Sequence, residues 1–318
     1  MINYKSMIKI KGDASFRRFY RKKNKNFTSI IIFAKKEKFK NLLIYDAINK
    51  ILNKNKILAP TLYKENYKRG YIEIQDFGND TVYKILKKNN SKFVYFKKII
   101  KVLNQIQLIK DNSIKNFKNK KYTIPRYNKK ILINEANLFC NWYAKYNLSK
   151  KEAKIFNNKL SKIIRELTLN LKLKNDVFVH RDFHVSNLML TTNNRIGVID
   201  NQDALIGNRA YDLASLIDDV RINTSIKLKR KIYNFYIKGQ KKLPTYKFKN
   251  DFEILSILRN LKIIGIFTRL AIRDGKNNYL KLIPNAWKLI KIRIKQNEIF
   301  DDLRELLNEN FEREFNEN

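Results

Sequence analysis

The stretches FVHRDFHVSNLML (178–190) and RIGVIDNQDALIG (195–207) decide the fold of this chain. They contain strand-length apolar runs, two of which are joined by an Asn-Asn turn that tolerates a positive φ. The pattern predicts a β-hairpin. Polar side chains stand at the ends of these runs, Asp182 after one strand, Asn187 before the next and Asp200 after the last.

A hairpin of this kind would bring the three side chains to one rim. Mg²⁺ prefers oxygen ligands and keeps room for phosphate oxygens, so the amide of Asn187 and the carboxylate of Asp200 suit a metal–nucleotide site. The remaining carboxylate, Asp182, could then accept a proton from a substrate hydroxyl. Asp and Asn are also ordinary turn and cap residues. A hairpin with a purely structural role therefore remains an alternative at this point.

Length and composition predict a soluble, intracellular protein. The 318 residues, 44% of them hydrophobic, suffice for one large domain or two modest ones. The single cysteine, Cys140, allows no disulfide within the chain, and we expect a buried, inert thiol. We find no secretory signal and no apolar run of the roughly 20 residues that a membrane span needs, and therefore expect a cytoplasmic location.

The net charge of +39 suggests nucleic acid as a partner when it is taken alone. The basic residues are scattered along the chain, however, and accompany many Asn, Ile, Phe and Tyr residues, the bias that AT-rich codons produce. We therefore do not expect nucleic-acid binding as the main function. The positive field should still attract anionic small molecules such as nucleotides.

The chain divides into a sheet-rich part and a helical part. Residues 8–34 alternate as antiparallel strands do, residues 39–51 carry an apolar helix face, and a further hairpin turns near Arg69 and Gly70. We expect residues 1–78 to form one domain and residues 79–318 a mostly helical second one.

The last 22 residues, NEIFDDLRELLNENFEREFNEN, predict an amphipathic helix with an acidic outer face. We expect its apolar face to pack on its own chain, with docking to a partner as the alternative.

Two segments carry a family resemblance. HRDFHVSN (180–187) and VIDNQDALIGNRAYDLA (198–214) resemble the catalytic loop and metal-binding segment of the aminoglycoside phosphotransferase and choline kinase-like family. The resemblance implies an α+β, two-lobed protein-kinase-like fold, with a small mostly β N-lobe, a larger mostly α C-lobe, and ATP between them. It makes Asp182 the catalytic base, Asn187 and Asp200 the Mg²⁺ ligands, and Asp212 a buried structural acid.

Further motifs narrow the resemblance. GDASFRRFYR (12–21), IPRYNKKILINEANLFCNWY (124–143) and LKIIGIFTRLAIRDGKNNYL (261–280) are similar to segments of the bacterial anomeric N-acetylmuramate/N-acetylglucosamine kinases. The implied reaction is ATP-dependent phosphorylation of a sugar's anomeric hydroxyl in cell-wall recycling. Two alternatives remain: a kinase of the same fold for choline, homoserine or an aminoglycoside, and a basic nucleic-acid-binding pseudokinase.

The same resemblance assigns the nucleotide contacts. We expect a turn at Gly12, Asp13, Ala14 and Ser15. This turn would lie over the ATP phosphates, or else it would be a plain hairpin turn. Arg17 and Arg18 follow it, and because neighbouring side chains alternate across a strand, only one should face the nucleotide; we choose Arg17. Residues 73–77, with Ile74 and Asp76, would form the hinge that offers groups to adenine.

The N-terminal part departs from the family pattern. Its third strand, SIIIFA (29–34), contains no lysine, and only Lys35 and Lys36 follow it. The next helix offers Asp46 where a glutamate is usual, and Asn201 stands where we expect an aromatic residue. We expect His180 to brace the catalytic loop. Which cation holds the phosphates is left open.

Overall fold

The computed structural model describes residues 7–10, 17–295 and 297–316, and groups them in two compact units. One unit comprises Met1–Pro125 and Val177–Ile206, and the other Arg126–Asp176 and Gly207–Asn318. The domain boundary expected after residue 78 stays a prediction. Within the described residues, no helix is both long enough and apolar enough to cross a membrane.

A five-stranded antiparallel sheet with the order β1-β2-β3-β5-β4 forms the beginning of the first unit. Its strands are β1 (Met7–Ile10), β2 (Arg18–Lys23), β3 (Thr28–Phe33), β4 (Leu62–Asn66) and β5 (Tyr71–Gln75). The predicted turn between the last two is confirmed, because Gly70 has φ +68° and ends a 3₁₀ turn at Tyr67–Arg69.

One helix covers this sheet, as the apolar face of residues 39–51 predicts. Helix α1 (Lys40–Lys54) packs Leu42 and Tyr45 against Ile32, Ile72 and Ile74 of the central strands. Burial of such a cluster removes apolar surface from water and fixes the helix on the sheet.

The remainder of the first unit contains two helices and several short strands. They are α2 (Val82–Lys88), α3 (Lys92–Gln107), β6 (Ser113–Lys115), β7 (Lys121–Thr123), β8 (Asn175–Val179), β9 (Leu188–Leu190), β10 (Ile196–Val198) and β11 (Leu205–Asn208), of which β8 begins and β11 ends in the second unit. Strands β9 and β10 form the predicted antiparallel hairpin.

The second unit is helical. Its helices are α4 (Lys129–Ala136), α5 (Lys145–Asn147), α6 (Lys150–Leu169), α7 (Ala210–Ile217), α8 (Ile226–Lys238), α9 (Thr245–Asp274), α10 (Ile283–Ile294), α11 (Asp301–Asn310) and α12 (Glu312–Asn316). Helix α9 ends where Gly275 adopts a left-handed conformation, which glycine takes without steric cost. Asp212 is fully buried in the first turn of α7, as expected.

The C-terminal helices pack on their own chain, which confirms the preferred prediction. Leu303, Leu306 and Leu307 of α11 are buried in the core of the second unit. The ring of Phe311 lies 5.6 Å from that of Phe139, measured between centroids. Cys140 is buried in the same core, and burial raises the pKa of its thiol to about 12, as expected of an inert cysteine.

Gly265 allows a close approach between α9 and a π-helical segment at Phe139–Ala144. A Cβ at this position would overlap the backbone carbonyl of Leu138 and lie 2.6 Å from the backbone nitrogen of Phe139. Backbone atoms cannot rotate away as the end of a side chain can, so only glycine fits between these two elements.

Gly265→Ala should therefore lower the free energy of unfolding by about 3 kcal/mol, the upper part of the range for overpacked cores. Gly275→Ala is the matched control: a Cβ there meets nothing within 4 Å, and only the left-handed backbone costs about 1 kcal/mol. Denaturant unfolding of both variants measures the difference. Equal losses would contradict the close approach.

Candidate active site

The β9–β10 hairpin places Asn187 and Asp200 at the same end of its two strands. Leu188 is paired with Val198, and the backbone N–H of Ile199 donates to the carbonyl oxygen of Asn187 at 3.0 Å. Asn187 therefore directly precedes β9 and Asp200 follows β10 by two positions, so both flank the strands at the point where the hairpin opens.

Two hydrogen bonds to the backbone of Asp182 close the loop before the hairpin. The carbonyl oxygen of Asp182 accepts a hydrogen bond from the N–H of His184 at 2.9 Å and another from Nδ2 of Asn187 at 3.1 Å. The side chains of Phe183 and Val185 are fully buried and anchor the loop in the protein. Because the amide nitrogen of Asn187 serves the loop, its oxygen Oδ1 is the atom suited to a metal.

A buried chain of polar groups supports the segment around Asp200. Nε2 of His180 lies 2.8 Å from Oδ1 of Asn201, and Nδ2 of Asn201 donates to Oδ1 of Asn49 at 2.7 Å. Asn49, on α1, donates in turn to the carbonyl oxygen of Pro60 at 3.0 Å. Buried polar groups are costly unless they are hydrogen-bonded, so this chain fixes its members relative to one another.

These contacts give His180 the bracing role expected of it and explain the unusual Asn201. An aromatic residue at that position could not bond both His180 and α1. Sequence reasoning missed Asn49, although a polar residue on the apolar face of a helix was a signal that could have found it.

Asp200 forms an ion pair with Arg17. Nη2 of Arg17 contacts Oδ1 of Asp200, and Nη1 donates to Oε1 of Gln202 at 2.8 Å. The guanidinium lies 5.6 Å from the ring centroid of Phe19 and 5.8 Å from that of Tyr45. The side chain of Arg17 is 4% exposed and that of Asp200 38% exposed, so Asp200 keeps an open side.

Asp200 also has a left-handed backbone, with φ 65° and ψ 41°. Aspartate and asparagine tolerate this conformation better than most residues, but it still costs free energy and is concentrated at functional sites. The conformation ends β10 and turns the chain into the 3₁₀ segment Asn201–Asp203 that carries Gln202.

The donor set fits a magnesium ion. One amide oxygen comes just before β9 and one carboxylate just after β10, and the carboxylate already attracts a cation, Arg17. The described residues contain no cluster of three or more His, Cys, Asp or Glu side chains that could hold a metal ion. A site completed by phosphate oxygens does not need one.

Asp76 is held by the protein itself. Its carboxylate accepts hydrogen bonds from Nη2 of Arg21 at 2.9 Å, from Oγ1 of Thr28 at 2.7 Å and from the N–H of Gly78 at 2.8 Å. Burial alone would raise the pKa of Asp76, but these donors outweigh it and hold the pKa below its usual value. The carboxylate joins β2 and β3 to the end of β5, and a nucleotide contact of Asp76 stays a prediction.

Ile74 differs from what we expected of a hinge residue. It is paired with Ile30 on one side and with Leu62 on the other, and its side chain is buried in the sheet core. Its backbone groups therefore face neighbouring strands rather than a ligand. Groups for adenine would have to come from residues after the strand, beyond Gln75.

Two further parts of the N-terminal sequence were singled out above, residues 12–15 and Asp46. Gly12, Asp13, Ala14 and Ser15 lie outside the described residues, and their role stays a prediction. Asp46 is buried, accepts from the N–H of Phe117 at 2.7 Å and pairs with Lys50 at 2.9 Å, so its carboxylate serves α1 and its surroundings.

Asp76→Asn should lower the free energy of unfolding by about 2 kcal/mol at neutral pH, because the charged hydrogen bonds from Arg21 are weakened. The folded-state pKa of Asp76 is depressed, so its contribution is present above the unfolded-state pKa of about 3.9 and is lost as the pH falls through the folded-state value.

Denaturant unfolding of both proteins from neutral to acidic pH should show this difference shrinking below about pH 4. Asp274→Asn is the control, since its ion pair with Arg273 is exposed and should contribute little. A difference that is independent of pH would contradict the assignment.

Comparison with known proteins adds independent information. The sequence pattern of the phosphotransferase enzyme family (APH) matches residues 6–243. The chain is 27% identical to an N-acetylmuramate/N-acetylglucosamine kinase of Neisseria meningitidis serogroup B, over 86% of this chain and 81% of that protein. It is 26% identical to a protein of the same name from Pseudomonas putida, over 96% of this chain and 88% of that one.

Solved structures agree on the fold. A spectinomycin phosphotransferase in complex with ADP and spectinomycin matches with a TM-score of 0.55 and 15% identity, covering 93% of this chain and 91% of that chain. This likeness, together with the antiparallel sheet and the helical unit, confirms the predicted α+β protein-kinase-like fold. The chain therefore belongs to the phosphotransferase enzyme family and is a small-molecule kinase that acts on an alcohol group.

Proposed function

We propose that this protein uses ATP and Mg²⁺ to phosphorylate a sugar hydroxyl, and that the acceptor is the anomeric hydroxyl of N-acetylmuramate or N-acetylglucosamine in cell-wall recycling. The observation that carries the proposal is the pair of relatives of that name, which match over 86% and 96% of this chain. The loop at residues 182–187 and the β9–β10 hairpin would supply the side chains that such a reaction needs.

In the proposed mechanism Asp182 is the general base. Its carboxylate accepts the proton of the sugar hydroxyl while the hydroxyl oxygen forms a bond to the γ-phosphorus and the bond to the leaving ADP breaks. The closed loop fixes the backbone of Asp182 through His184 and Asn187, which limits the positions available to the carboxylate. Positioning of this kind supplies much of the acceleration in phosphoryl transfer.

Asn187 and Asp200 would hold Mg²⁺ through Oδ1 and a carboxylate oxygen. A bound Mg²⁺ neutralises charge on the phosphate oxygens. The buried chain from His180 through Asn201 to Asn49 keeps the segment that carries Asp200 in place. The turn of residues 12–15 and the backbone after β5 would contact the nucleotide.

Asp182→Asn should lower turnover by about 10² to 10⁴, because the amide cannot accept the proton, and should leave nucleotide affinity nearly unchanged. ADP release measures the turnover, and calorimetry with a non-hydrolysable ATP analogue measures the affinity. Asp176→Asn, the same chemical change at an exposed aspartate, is the matched control. Equal turnover in the two variants would remove Asp182 from the mechanism.

The acceptor is tested with a panel of purified compounds: N-acetylmuramate, N-acetylglucosamine, choline, ethanolamine, homoserine and spectinomycin. We expect the highest kcat/KM with one of the two amino sugars and an acid-labile phosphate in the product. The 1-deoxy analogue of N-acetylglucosamine, which lacks only the anomeric hydroxyl, should give no ADP. A higher kcat/KM with any of the other acceptors, or turnover of the deoxy analogue, would contradict the proposal.

A further inference from the structure

We propose that Arg17 is the cation that holds the nucleotide phosphates in this protein, and that it competes with the metal for Asp200. The inference rests on the proposed ATP and Mg²⁺ dependence, and it concerns the missing lysine of strand β3. It predicts that Arg17 exchanges one anionic partner for another when magnesium and nucleotide bind.

The surroundings of Arg17 form a prepared site for a guanidinium. The side chain is 4% exposed, lies near the rings of Phe19 and Tyr45, and donates to both Asp200 and Gln202. A buried charge is costly unless it is paired, so Arg17 requires an anion in every state of the protein. Asp200, which Nη2 of Arg17 contacts, is one such anion.

Magnesium would compete for the same carboxylate. Oδ1 of Asp200 cannot both pair closely with Arg17 and ligate a metal without rearrangement, because two cations would then lie within a few ångströms of each other. If magnesium takes Asp200, Arg17 needs another anion. The phosphates carried by that metal are suitable, since a planar guanidinium binds phosphate through paired hydrogen bonds.

The chain order favours this exchange. Arg17 lies two positions after Ser15, the last of the residues 12–15 assigned to the phosphates, and is therefore close in sequence to where the nucleotide would bind. Binding energies are reciprocal, so a nucleotide that takes up Arg17 strengthens metal binding, and the metal strengthens nucleotide binding.

Two other cations of the sheet are less suited to the role. Lys22 on β2 pairs with Glu73 at 3.2 Å, and Ser29 also donates to Glu73 at 2.6 Å. Lys22 lies five positions beyond Arg17, about 16 Å along an extended strand. Arg18 is exposed and lies over the ring of Phe33 at 6.0 Å.

The test compares Arg17→Met with Arg18→Met, its neighbour, in the full-length protein. Mn²⁺ binding without nucleotide is measured by electron paramagnetic resonance, and binding of a non-hydrolysable ATP analogue is measured by calorimetry in EDTA and again with Mg²⁺. Arg17→Met should bind Mn²⁺ at least about tenfold more tightly, because the competing cation is gone, and the analogue in EDTA at least about tenfold more weakly. Arg18→Met should change neither.

Two further variants separate this role from a structural one. Arg17→Lys should recover part of the analogue affinity, since the charge is kept. Gln202→Leu removes one acceptor of Arg17 and should strengthen Mn²⁺ binding without weakening the analogue. Gln202→Leu also tests the exchange if Arg17→Met does not fold.

Unchanged or weaker Mn²⁺ binding in Arg17→Met or Gln202→Leu, with a lowered melting temperature, would show that Arg17 is only a structural contact and would overturn the proposal. None of these measurements requires an acceptor. If the wild type phosphorylates no sugar but the metal and nucleotide affinities change as expected, the proposed acceptor fails and the role of Arg17 stands.

Discussion

The antiparallel pairing of β9 with β10 is the constraint on which the rest of the site depends. The pairing brings Asn187 and Asp200 to the same end of adjacent strands, where the two side chains together would hold the proposed magnesium ion. Two features next to this hairpin fix backbone positions. They are the buried polar chain from His180 through Asn201 to Asn49 and the loop closed by hydrogen bonds to Asp182. The left-handed backbone of Asp200 and the burial of the Asn201 and Asn49 amides cost free energy. The hydrogen bonds within the buried polar chain offset this cost.

We infer that the charge on Asp200 allows the N-terminal sheet to differ from the family pattern. A carboxylate at the end of the hairpin attracts a cation, and here that cation is Arg17, two positions after the residues predicted to contact the nucleotide. Lys22 and Glu73 form a separate pair within the sheet, and Arg21 holds Asp76. Arg17, Arg21 and Lys22 are thus each paired with a particular acid, although the whole chain has a net charge of +39.

The sequence predicts those parts of the structure that depend on local pattern. Strand-length apolar runs and turn residues indicate the hairpin and the Gly70 turn, and the helical spacing of apolar residues indicates the C-terminal helix. Pairings across large separations cannot be read in this way: Arg17 and Asp200 are 183 positions apart, and Asn49 and Asn201 are 152 apart. The pairing of Ile74 with Ile30 and Leu62 likewise cannot be read from local pattern, and its role at the nucleotide stays a prediction.

The most direct test of the central claim is a crystal structure of the protein with Mg²⁺ and a non-hydrolysable ATP analogue. We predict a metal ion about 2.1 Å from a carboxylate oxygen of Asp200 and from Oδ1 of Asn187, with the guanidinium of Arg17 moved from Asp200 to a phosphate. Asp200 still paired with Arg17, and the metal held by other residues, would contradict it.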